Sequence, residues 1–279
     1  MTPNPHLRRI DTHFHANIQL RSRSARAKIA SALLARMRHL DILCSTEHVY
    51  KDPLAAFDFL DSIVRGAGLP IDILPAVENI SREGVELIQI AQTRQDLAAL
   101  LREKPGYALT IEDLAEKGTV PFISILPHPY SPSKTGAVTG LGKDRAKRLF
   151  DRVDFIEAGN GAFFDLPRYV QHRPAMAEKI KNTETFPRAE LPQSVGSSYG
   201  SDAHFPSELG LHCLLPVRPG ETNFEALSKR PQMEAASSDE TINANKHLRL
   251  MANLGISGVE YLQKQVFRVV GAKTVRDPQ

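Results

Sequence analysis

The most promising residues for chemistry are two histidines, His13 and His15, near the start of the 279-residue sequence. They lie in a run that fits a β-strand, and side chains two positions apart on a strand point to the same face. Two imidazole nitrogens on one face can bind a single metal ion. The pair therefore predicts one part of a metal site, and the other ligands must come from later in the chain.

Strand patterns and helical patterns alternate after this first strand. Apolar residues recurring at three- and four-residue steps indicate helices at 25–40, 53–66 and 94–103. Strand patterns lie at 41–46, 71–77, 85–91, 120–126, 154–156 and 194–201. Helical segments between strands permit parallel crossovers, so the alternation favours an α/β fold.

Polar side chains follow these strands at the points where the strands end. They are His13, His15, Glu47, His48, Glu78, His128, Glu157, Asp202 and His204. A β/α barrel produces this pattern, because its active site collects residues from the C-terminal ends of several strands on one face. A doubly wound open sheet is the alternative, but it normally concentrates its ligand site at one switch point. We therefore expect a barrel.

The chemistry of this set is that of a metal site. One histidine at a strand end is more often a hydrogen-bonded structural residue, but five that converge on one face favour ligands. Imidazole nitrogens with carboxylate oxygens suit zinc, manganese or iron, and a carboxylate such as Glu78 can bridge two ions. The set predicts one to three divalent metal ions per chain.

The order of the motifs resembles that of the PHP (polymerase and histidinol phosphatase) superfamily over about residues 8–210. The segments that carry the resemblance are 11–15, 46–48, Glu78, 128–129, Glu157 with Asn160, and 200–204. The resemblance implies a distorted, TIM-like (β/α)7-type barrel with its metal site at the C-terminal ends of the strands. It also implies a metal-dependent phosphoesterase.

A ligand set follows from the resemblance by position. It assigns His13, His15, Glu78 and Asp202 to a first metal, Glu78 and His128 to a second, and His48 and His204 to a third. Glu47 stands where relatives more usually have aspartate, and we expect it to adjust hydrogen bonding rather than bind metal. Glu157 either orients a ligand or is a buried carboxylate satisfied by backbone N–H groups.

Two departures from the family pattern bear on the number of ions. Many relatives have a histidine ligand about eleven residues after the bridging glutamate, where this chain has Gln89, and a carboxamide is a poor zinc ligand. Family members often have a third-metal ligand five or six residues after His15, where this chain has Leu20 and Arg21. We expect fewer than three tightly held ions, with Arg21 or Arg23 offsetting the charge of an anionic substrate.

The predicted activity is hydrolysis of a phosphate ester in a small phosphorylated metabolite or nucleotide. Metal ions would activate water and neutralise the phosphoryl group, and His48 or His204, where no third ion occupies them, would protonate the leaving oxygen. One alternative is an amidohydrolase-like C–N or C–O hydrolase, although no lysine stands at a strand end to bridge its metals. The other is a non-catalytic, metal-binding regulatory module with degenerate second and third sites.

Composition limits the partners and the cellular location. The chain is 42% hydrophobic and 24% charged with a net charge of +3, as expected of a soluble globular protein. Its basic residues are dispersed apart from a cluster at 21–28, so nucleic acid is not an expected partner. The sequence has no signal-peptide pattern and no long apolar run, which predicts a cytoplasmic protein without membrane contact. Two cysteines do not indicate a disulfide framework.

The sequence divides into a catalytic barrel at 1–215 and a C-terminal extension at 216–279. Helical spacing of apolar residues between 241 and 270 predicts that the extension packs on the barrel as helices of the same domain. The glycine-rich segment 131–147 is interpreted as a flexible loop, either a lid or a surface insertion.

Overall fold

The computed structural model of the protein describes residues 4–18, 23–131, 135–161, 192 and 194–237. The strands in these ranges are β1 (His6–Phe14), β2 (Ile42–Ser45), β3 (Asp72–Ile80), β4 (Glu86–Ala91), β5 (Phe122–Leu126), β6 (Phe155–Asn160), β7 (Gly196–Gly200), β8 (Leu211–Val217) and β9 (Glu234–Ser237). The helices are α1 (Arg23–Met37), α2 (Pro53–Gly66), α3 (Arg94–Glu103), α4 (Ile111–Ala115), α5 (Ala137–Leu141), α6 (Lys143–Phe150) and α7 (Asn223–Ser228), with a 3-10 turn at Pro206–Glu208. The helices predicted at 53–66 and 94–103 are confirmed with the same bounds.

The strands form one mixed sheet in the order β7-β6-β5-β4-β3-β2-β1-β8-β9. The sheet is nearly closed, because the chain leaving β7 pairs with the end of β1. The amide of Asp202 donates to the carbonyl of His13 at 2.7 Å, and the amide of His15 donates to the carbonyl of Ala203 at 3.0 Å. The architecture is therefore α/β and barrel-like, as the sequence predicted.

Within the described residues a strict (β/α)7 repeat is interrupted, because β4 runs antiparallel to both of its neighbours, β3 and β5. The physical reason is the length of the link at 81–85. A parallel crossover takes about a dozen residues or more, whereas a five-residue link can only form a hairpin. β8 is also antiparallel, and it lies beside β1.

Side chains of the sheet alternate between the barrel interior and the helices outside. On β3 and β4, Leu74 and Ala76 pack with Ile88 and Ile90 in the central core, which draws residues from most of the strands. Leu87, one position away, belongs instead to a cluster with α4 and α6. Even-numbered residues of both strands therefore face the interior, as the two-residue period of a strand requires.

The prediction of a flexible loop at 131–147 is wrong for the part of this segment that the structure describes. Residues 137–147 form α5 and the first part of α6, and α6 buries Ala146, Leu149 and Phe150 against the sheet. Gly142 joins the two helices with φ of 81°, a left-handed conformation that favours glycine. The glycines of this segment therefore lie at or near helix ends. Residues 132–134 lie outside the described ranges.

Arg145 of α6 joins two carboxylates from different elements. Its guanidinium donates to Glu112 of α4 at 2.6 and 2.8 Å and to Glu83 of the β3–β4 turn at 2.6 Å. The pKa of Glu112 is lowered mainly by its hydrogen bonds with Arg145. Burial opposes the charge on Glu83, but the same arginine holds the pKa of that carboxyl below its usual value. The network thus links the β3–β4 hairpin to α4 and α6.

Replacing Arg145 with leucine is expected to lower the free energy of unfolding by about 1 kcal/mol at pH 7, because the charges are partly exposed. Carboxyls with lowered pKa values stabilise the fold above their ordinary pKa of about 4.3, and this contribution is lost as the pH falls through their folded values. Urea unfolding at pH 7 and at pH 3 measures the difference. The exposed Arg148 of α6 supplies the control, R148L. An equal loss for R145L at both pH values would contradict the ionic explanation.

Beyond Gly210 the described chain contains two strands as well as a helix. β8 crosses position 215, the predicted boundary, and β9 pairs with it, with α7 between them. The helices predicted at 241–270 lie outside the described residues, so the division at 215 stays a prediction. Among the described helices, none combines the length and the apolar character needed to cross a membrane.

Candidate metal centre

The polar strand ends meet in a buried cluster at one end of the barrel. It contains His13, His15, Glu47, His48, Glu78, His128, Glu157, Asp202 and His204, together with Glu86 at the start of β4. All of these except His204 are at most 8% exposed. Ionisable groups are rarely buried in such number unless they are paired or bind a cation. The structure therefore brings together the nine polar strand-end residues singled out in the sequence.

Glu78 lies at the centre of the cluster. Its Oε1 is 3.4 Å from Nε2 of both His13 and His128. Its Oε2 is 2.6 Å from Nδ1 of His48 and 3.6 Å from Nε2 of His15. Both oxygens are buried, and no described donor approaches either of them with good hydrogen-bond geometry. A carboxylate ringed by imidazoles in this way suits a bound cation.

Asp202, which follows β7, approaches His13 and His15 from the other side of the seam between β1 and the end of β7. Its Oδ1 lies 3.3 Å from Nε2 of His15 and 3.4 Å from Nε2 of His13, while its Oδ2 accepts from Asn160 Nδ2 at 3.1 Å. Asp202 has φ of 48° and His128 has φ of 27°, which are uncommon for residues other than glycine. The backbone departs from its usual conformations at two of the residues that enter the cluster.

Four overlapping groups of three residues offer ligand atoms that lie within 4.8 Å of one another. They are His13 with His15 and Glu78; His13 with His128 and Asp202; His48 with Glu78 and Glu86; and His15 with His48 and His204. Mixed nitrogen and oxygen donors of this kind bind zinc, manganese and iron. The donor chemistry therefore fits divalent metal ions.

Two further carboxylates lie behind the histidine pair. Glu157 Oε1 is 3.0 Å from Nδ1 of His13, and its Oε2 accepts from the amide of His128 and from Asn160 Nδ2, both at 2.8 Å. Glu47 Oε1 is 3.8 Å from Nδ1 of His15. Each histidine thus turns Nε2 to the cluster and Nδ1 to a carboxylate, an arrangement that orients metal-binding histidines.

The charges of the cluster are strongly perturbed. Burial opposes a proton on His13, but Asp202 and Glu157 outweigh burial and raise the pKa of His13 well above its ordinary value. Burial is likewise outweighed at His128, where Glu78 and Glu86 raise the pKa to about 9. In the metal-free protein these rings hold protons beside the carboxylates. Binding of a cation is therefore expected to release protons.

His15 differs from the other two rings. Burial and the neighbouring rings of His48 and His204 lower the pKa of His15. The ring of His48 stacks on that of His15 with centroids 4.2 Å apart, and His204 lies at 4.5 Å. This side of the cluster is therefore rich in imidazole nitrogen, whereas the side nearer His128 is rich in carboxylate.

Gln89, interpreted as the replacement of a metal ligand, does not face the cluster. Its amide donates to the carbonyl of Leu114 at 3.0 Å, and its Oε1 accepts from Asn79 at 2.9 Å. Position 89 has odd parity on β4, so its side chain points out of the barrel. Glu86, with even parity, points inward, where its Oε2 lies 3.6 Å from Nε2 of His128.

Glu86 is therefore a candidate ligand that sequence reasoning missed, and exchanging it for glutamine tests its role. We expect E86Q to lower the affinity for the more weakly held Mn²⁺ ion by about 10- to 100-fold, since a carboxamide replaces a carboxylate donor. Q89M is the matched variant on the outer face. It should lower the melting temperature and leave metal stoichiometry unchanged. Isothermal titration with Mn²⁺ measures the metal binding of both variants, and thermal unfolding measures their melting temperatures. Loss of metal in Q89M but not in E86Q would favour position 89, where relatives have a histidine ligand.

Two other buried groups near the cluster were not among the predicted site residues. Asp11 accepts from the amides of His13 at 3.1 Å and Ser201 at 3.0 Å, and burial raises its pKa to about 7 despite these bonds. Lys51 lies beside Glu47. Asp11 occurs inside the first motif, so its sequence position was a usable signal, whereas no pattern singles out Lys51.

The structure does not describe the side chains of the two predicted substrate-binding arginines. Arg21 lies outside the described residues, and only the backbone of Arg23 is described, at the start of α1. Their role stays a prediction.

Comparisons with known proteins find similarity in fold. The sequence matches no family model and no curated protein. PsfC from Pseudomonas syringae has a similar structure, with 20% identity, a TM-score of 0.54, and coverage of 91% of this chain and 99% of that one.

Two endonuclease structures are also similar. A lesion-specific endonuclease from Pyrococcus furiosus has 14% identity and a TM-score of 0.53, with 85% of this chain and 60% of that chain covered. Endonuclease Q bound to a 27-mer duplex with an abasic lesion has 15% identity and a TM-score of 0.52, covering 80% of this chain and 56% of that chain. This chain thus spans less than two thirds of either endonuclease, and the likeness is one of fold.

Proposed function

We propose that this protein is a metal-dependent phosphoesterase of the PHP type. The observation that carries the proposal is Glu78, whose two buried oxygens lie among the rings of four histidines without a well-aligned hydrogen-bond donor in the described chain. The order of the motifs along the chain supports the same class. The folds of PsfC and of the endonucleases are compatible with it.

In the proposed centre each ligand comes from the end of a strand or from the first residue of β4. His13, His15, Glu78 and Asp202 would hold one ion, and Glu78 with Glu86 and His128 would hold a second. The imidazoles of His48 and His204 complete the nitrogen-rich side. Bound metal ions supply Lewis acidity toward the phosphoryl oxygens and a water of lowered pKa.

Exposure indicates which side of the cluster meets the substrate. The side chain of His204 is 18% exposed and that of Asp202 is 11% exposed, whereas those of His13 and His15 have no exposure. A substrate would therefore arrive beside His204. The Nδ1–H of its ring donates to the carbonyl of Asp202 at 3.0 Å, so a proton passed to the leaving oxygen would come from Nε2 of the doubly protonated ring.

The other hydrolase classes have less support. Amidohydrolase-type barrels use a carboxylated lysine between metals, and the buried lysine nearest this cluster, Lys51, lies 3.4 Å from the carboxylate of Glu47. A neighbouring carboxylate favours an ammonium over a second anion. A DNA phosphodiester is the second candidate substrate, because two structures of similar fold are endonucleases.

The test is a substrate panel on protein stripped with a chelator and reloaded with Mn²⁺, Zn²⁺ or Fe²⁺. The panel contains p-nitrophenyl phosphate, nucleoside and sugar monophosphates, bis-p-nitrophenyl phosphate, an abasic DNA duplex and an N-acyl amino acid. We expect metal-dependent release of phosphate from a monoester, lost in H13A and retained in H6A, a change at an exposed histidine of the same strand.

The contrary outcomes separate the alternatives. Cleavage of the duplex without monoester turnover would favour a nuclease, and amide cleavage would favour the amidohydrolase class. If nothing is hydrolysed with any metal while H13A still loses metal, the protein is a metal-binding module without this catalysis.

A further inference from the structure

Lys51 is an enclosed cation beside the metal centre that the proposed reaction does not use. It lies in the connection between β2 and α2, and its side chain has 0% exposure. Its Nζ donates to Oδ1 of Asn17 and lies 3.4 Å from Oε1 of Glu47. A buried lysine is costly unless it is paired and hydrogen-bonded. Because it is enclosed, any influence on chemistry must pass through its neighbours.

Glu47 links this lysine to the metal centre. Besides Lys51, the carboxylate accepts from the amides of Asn17 at 2.6 Å and His48 at 3.2 Å, and it faces Nδ1 of His15 at 3.8 Å. The opposite nitrogen of that ring, Nε2, is 3.3 Å from Oδ1 of Asp202. Nδ1 of His15 has no hydrogen-bond partner among the described residues, and Glu47 Oε1, at 3.8 Å, is a negative charge that favours a proton on this nitrogen. Glu47 is therefore in place to keep Nε2 of His15 available to a cation.

The two histidines of the first motif differ in how their rear carboxylates are held. Glu157, behind His13, accepts from neutral donors, the amide of His128 and the side chain of Asn160. Glu47, behind His15, faces the lysine cation as well. The imidazole-rich side of the centre thus has a fixed ion pair behind it.

Asn17 connects Lys51 to His204, which belongs to the last of the sequence motifs. It has φ of 51°, its side-chain oxygen accepts from Lys51, and its Nδ2 donates to the carbonyl of His204 at 3.4 Å. One ammonium therefore fixes both the carboxylate behind His15 and the residue that reaches the backbone of His204.

We propose that Lys51 is a positioning residue of the metal centre, which orients His15 through Glu47 and steadies the connection to His204 through Asn17. The inference rests on the proposed metal-dependent function, but it concerns the ring orientation of His15 and does not depend on the substrate.

The variants K51M, K51R, E47Q and K51M/E47Q test this role, with K147M on the exposed face of α6 as the matched control. Long-range ¹H–¹⁵N spectra of the metal-free protein report the tautomer of His15, and titration calorimetry reports the affinity for Mn²⁺. We expect K51M to mix the tautomers and to lower the Mn²⁺ affinity about tenfold, as is usual for partners of metal ligands. K51R should restore part of the affinity, and K147M should match the wild type.

The double variant keeps the test valid if K51M alone does not fold, because K51M/E47Q removes both charges and leaves no unpaired carboxylate. We expect its His15 tautomers to be mixed, and its loss of Mn²⁺ affinity to be smaller than the product of the single losses. Lower melting temperatures with a wild-type tautomer and an Mn²⁺ affinity within about twofold of wild type would overturn the proposal. Failure of the substrate panel would refute the phosphoesterase function and leave the tautomer result standing.

Discussion

Glu78→Gln is expected to lower the affinity for Mn²⁺ or Zn²⁺ by more than roughly 100-fold, beyond the 10- to 100-fold typical of residues that only support a ligand. Among the described carboxylates, Glu78 alone approaches His13, His15, His48 and His128 together. An amide keeps the shape of the side chain but presents one neutral oxygen. Phosphate-ester turnover should fall with the metal, because both the water and the phosphoryl group depend on it.

Thermal shifts give a readout that does not require a substrate. A ligand that binds only the folded state raises stability by about 2.7 kcal/mol at a concentration of 100 times its dissociation constant. The wild type should therefore melt at a higher temperature when Mn²⁺ is added, and E78Q should not respond. E116Q, at an exposed glutamate after α4, controls for loss of one carboxylate. An E78Q protein with the wild-type metal response would contradict the central position of Glu78.

Gly200→Ala is expected to destabilise the fold by about 2–3 kcal/mol, as overpacked cores commonly do. A Cβ at this position would lie 2.4 Å from Cβ of His13, 2.9 Å from its backbone nitrogen and 2.9 Å from Oε1 of Glu157. β7 can approach β1 this closely only because residue 200 has no side chain. Relief of the clash would move His13 itself, so metal affinity should fall together with stability.

The control for this glycine is G66A at the end of α2, where a Cβ would meet nothing within 4 Å. Alanine in a compatible backbone conformation stabilises by about 0.4–1 kcal/mol, so the two substitutions should have opposite signs. Urea unfolding with and without Mn²⁺ measures both variants. If G200A unfolds like the wild type, the strand contact is looser than the distances indicate.

Much of the site was predictable because polar residues at strand ends stand out against apolar strands. His13, Glu78, His128 and Asp202 each follow or end such a run, and barrel geometry brings those ends together. Helices such as α2 have a clear apolar stripe and a start signal in Asp52 and Pro53. Local physics determines these features, so a single sequence reveals them.

The misassignment at Gln89 has a geometric cause. Counting residues after Glu78 from a family pattern ignores which face of β4 each position occupies. In the observed register Glu78 is opposite Ile88 and Ile80 is opposite Glu86, so the inward positions are even-numbered, and Glu86 is the one whose side chain reaches His128. A one-residue shift of register exchanges the two faces of a strand. The register depends on the pairing of two strands, which neither segment reveals alone.

The interpretation of 131–147 failed for a different reason. Gly136, Gly140 and Gly142 suggested a flexible loop, yet each lies at or near the end of a short helix. Of the three, only Gly140 lies inside a helix, α5, which buries Ala137, and Gly136 and Gly142 precede helices. Packing of α5 and α6 against the sheet therefore outweighs the loop signal of the glycines. The strands β8 and β9 were missed because the motifs end before them and their apolar residues give no catalytic signal.

The seam between β1 and the end of β7 has a consequence for how the barrel holds together. Ser201 donates to the carbonyl of His13 across 188 residues of sequence, and few strand hydrogen bonds cross that line. A cation bound by both His13 and Asp202 would form a further link across the same seam. Closing so long a loop is entropically costly for the unfolded chain, and each added link across it reduces local opening. Amide hydrogen exchange at residues 199–203 should therefore slow more on Mn²⁺ binding than exchange in α3, far from the seam.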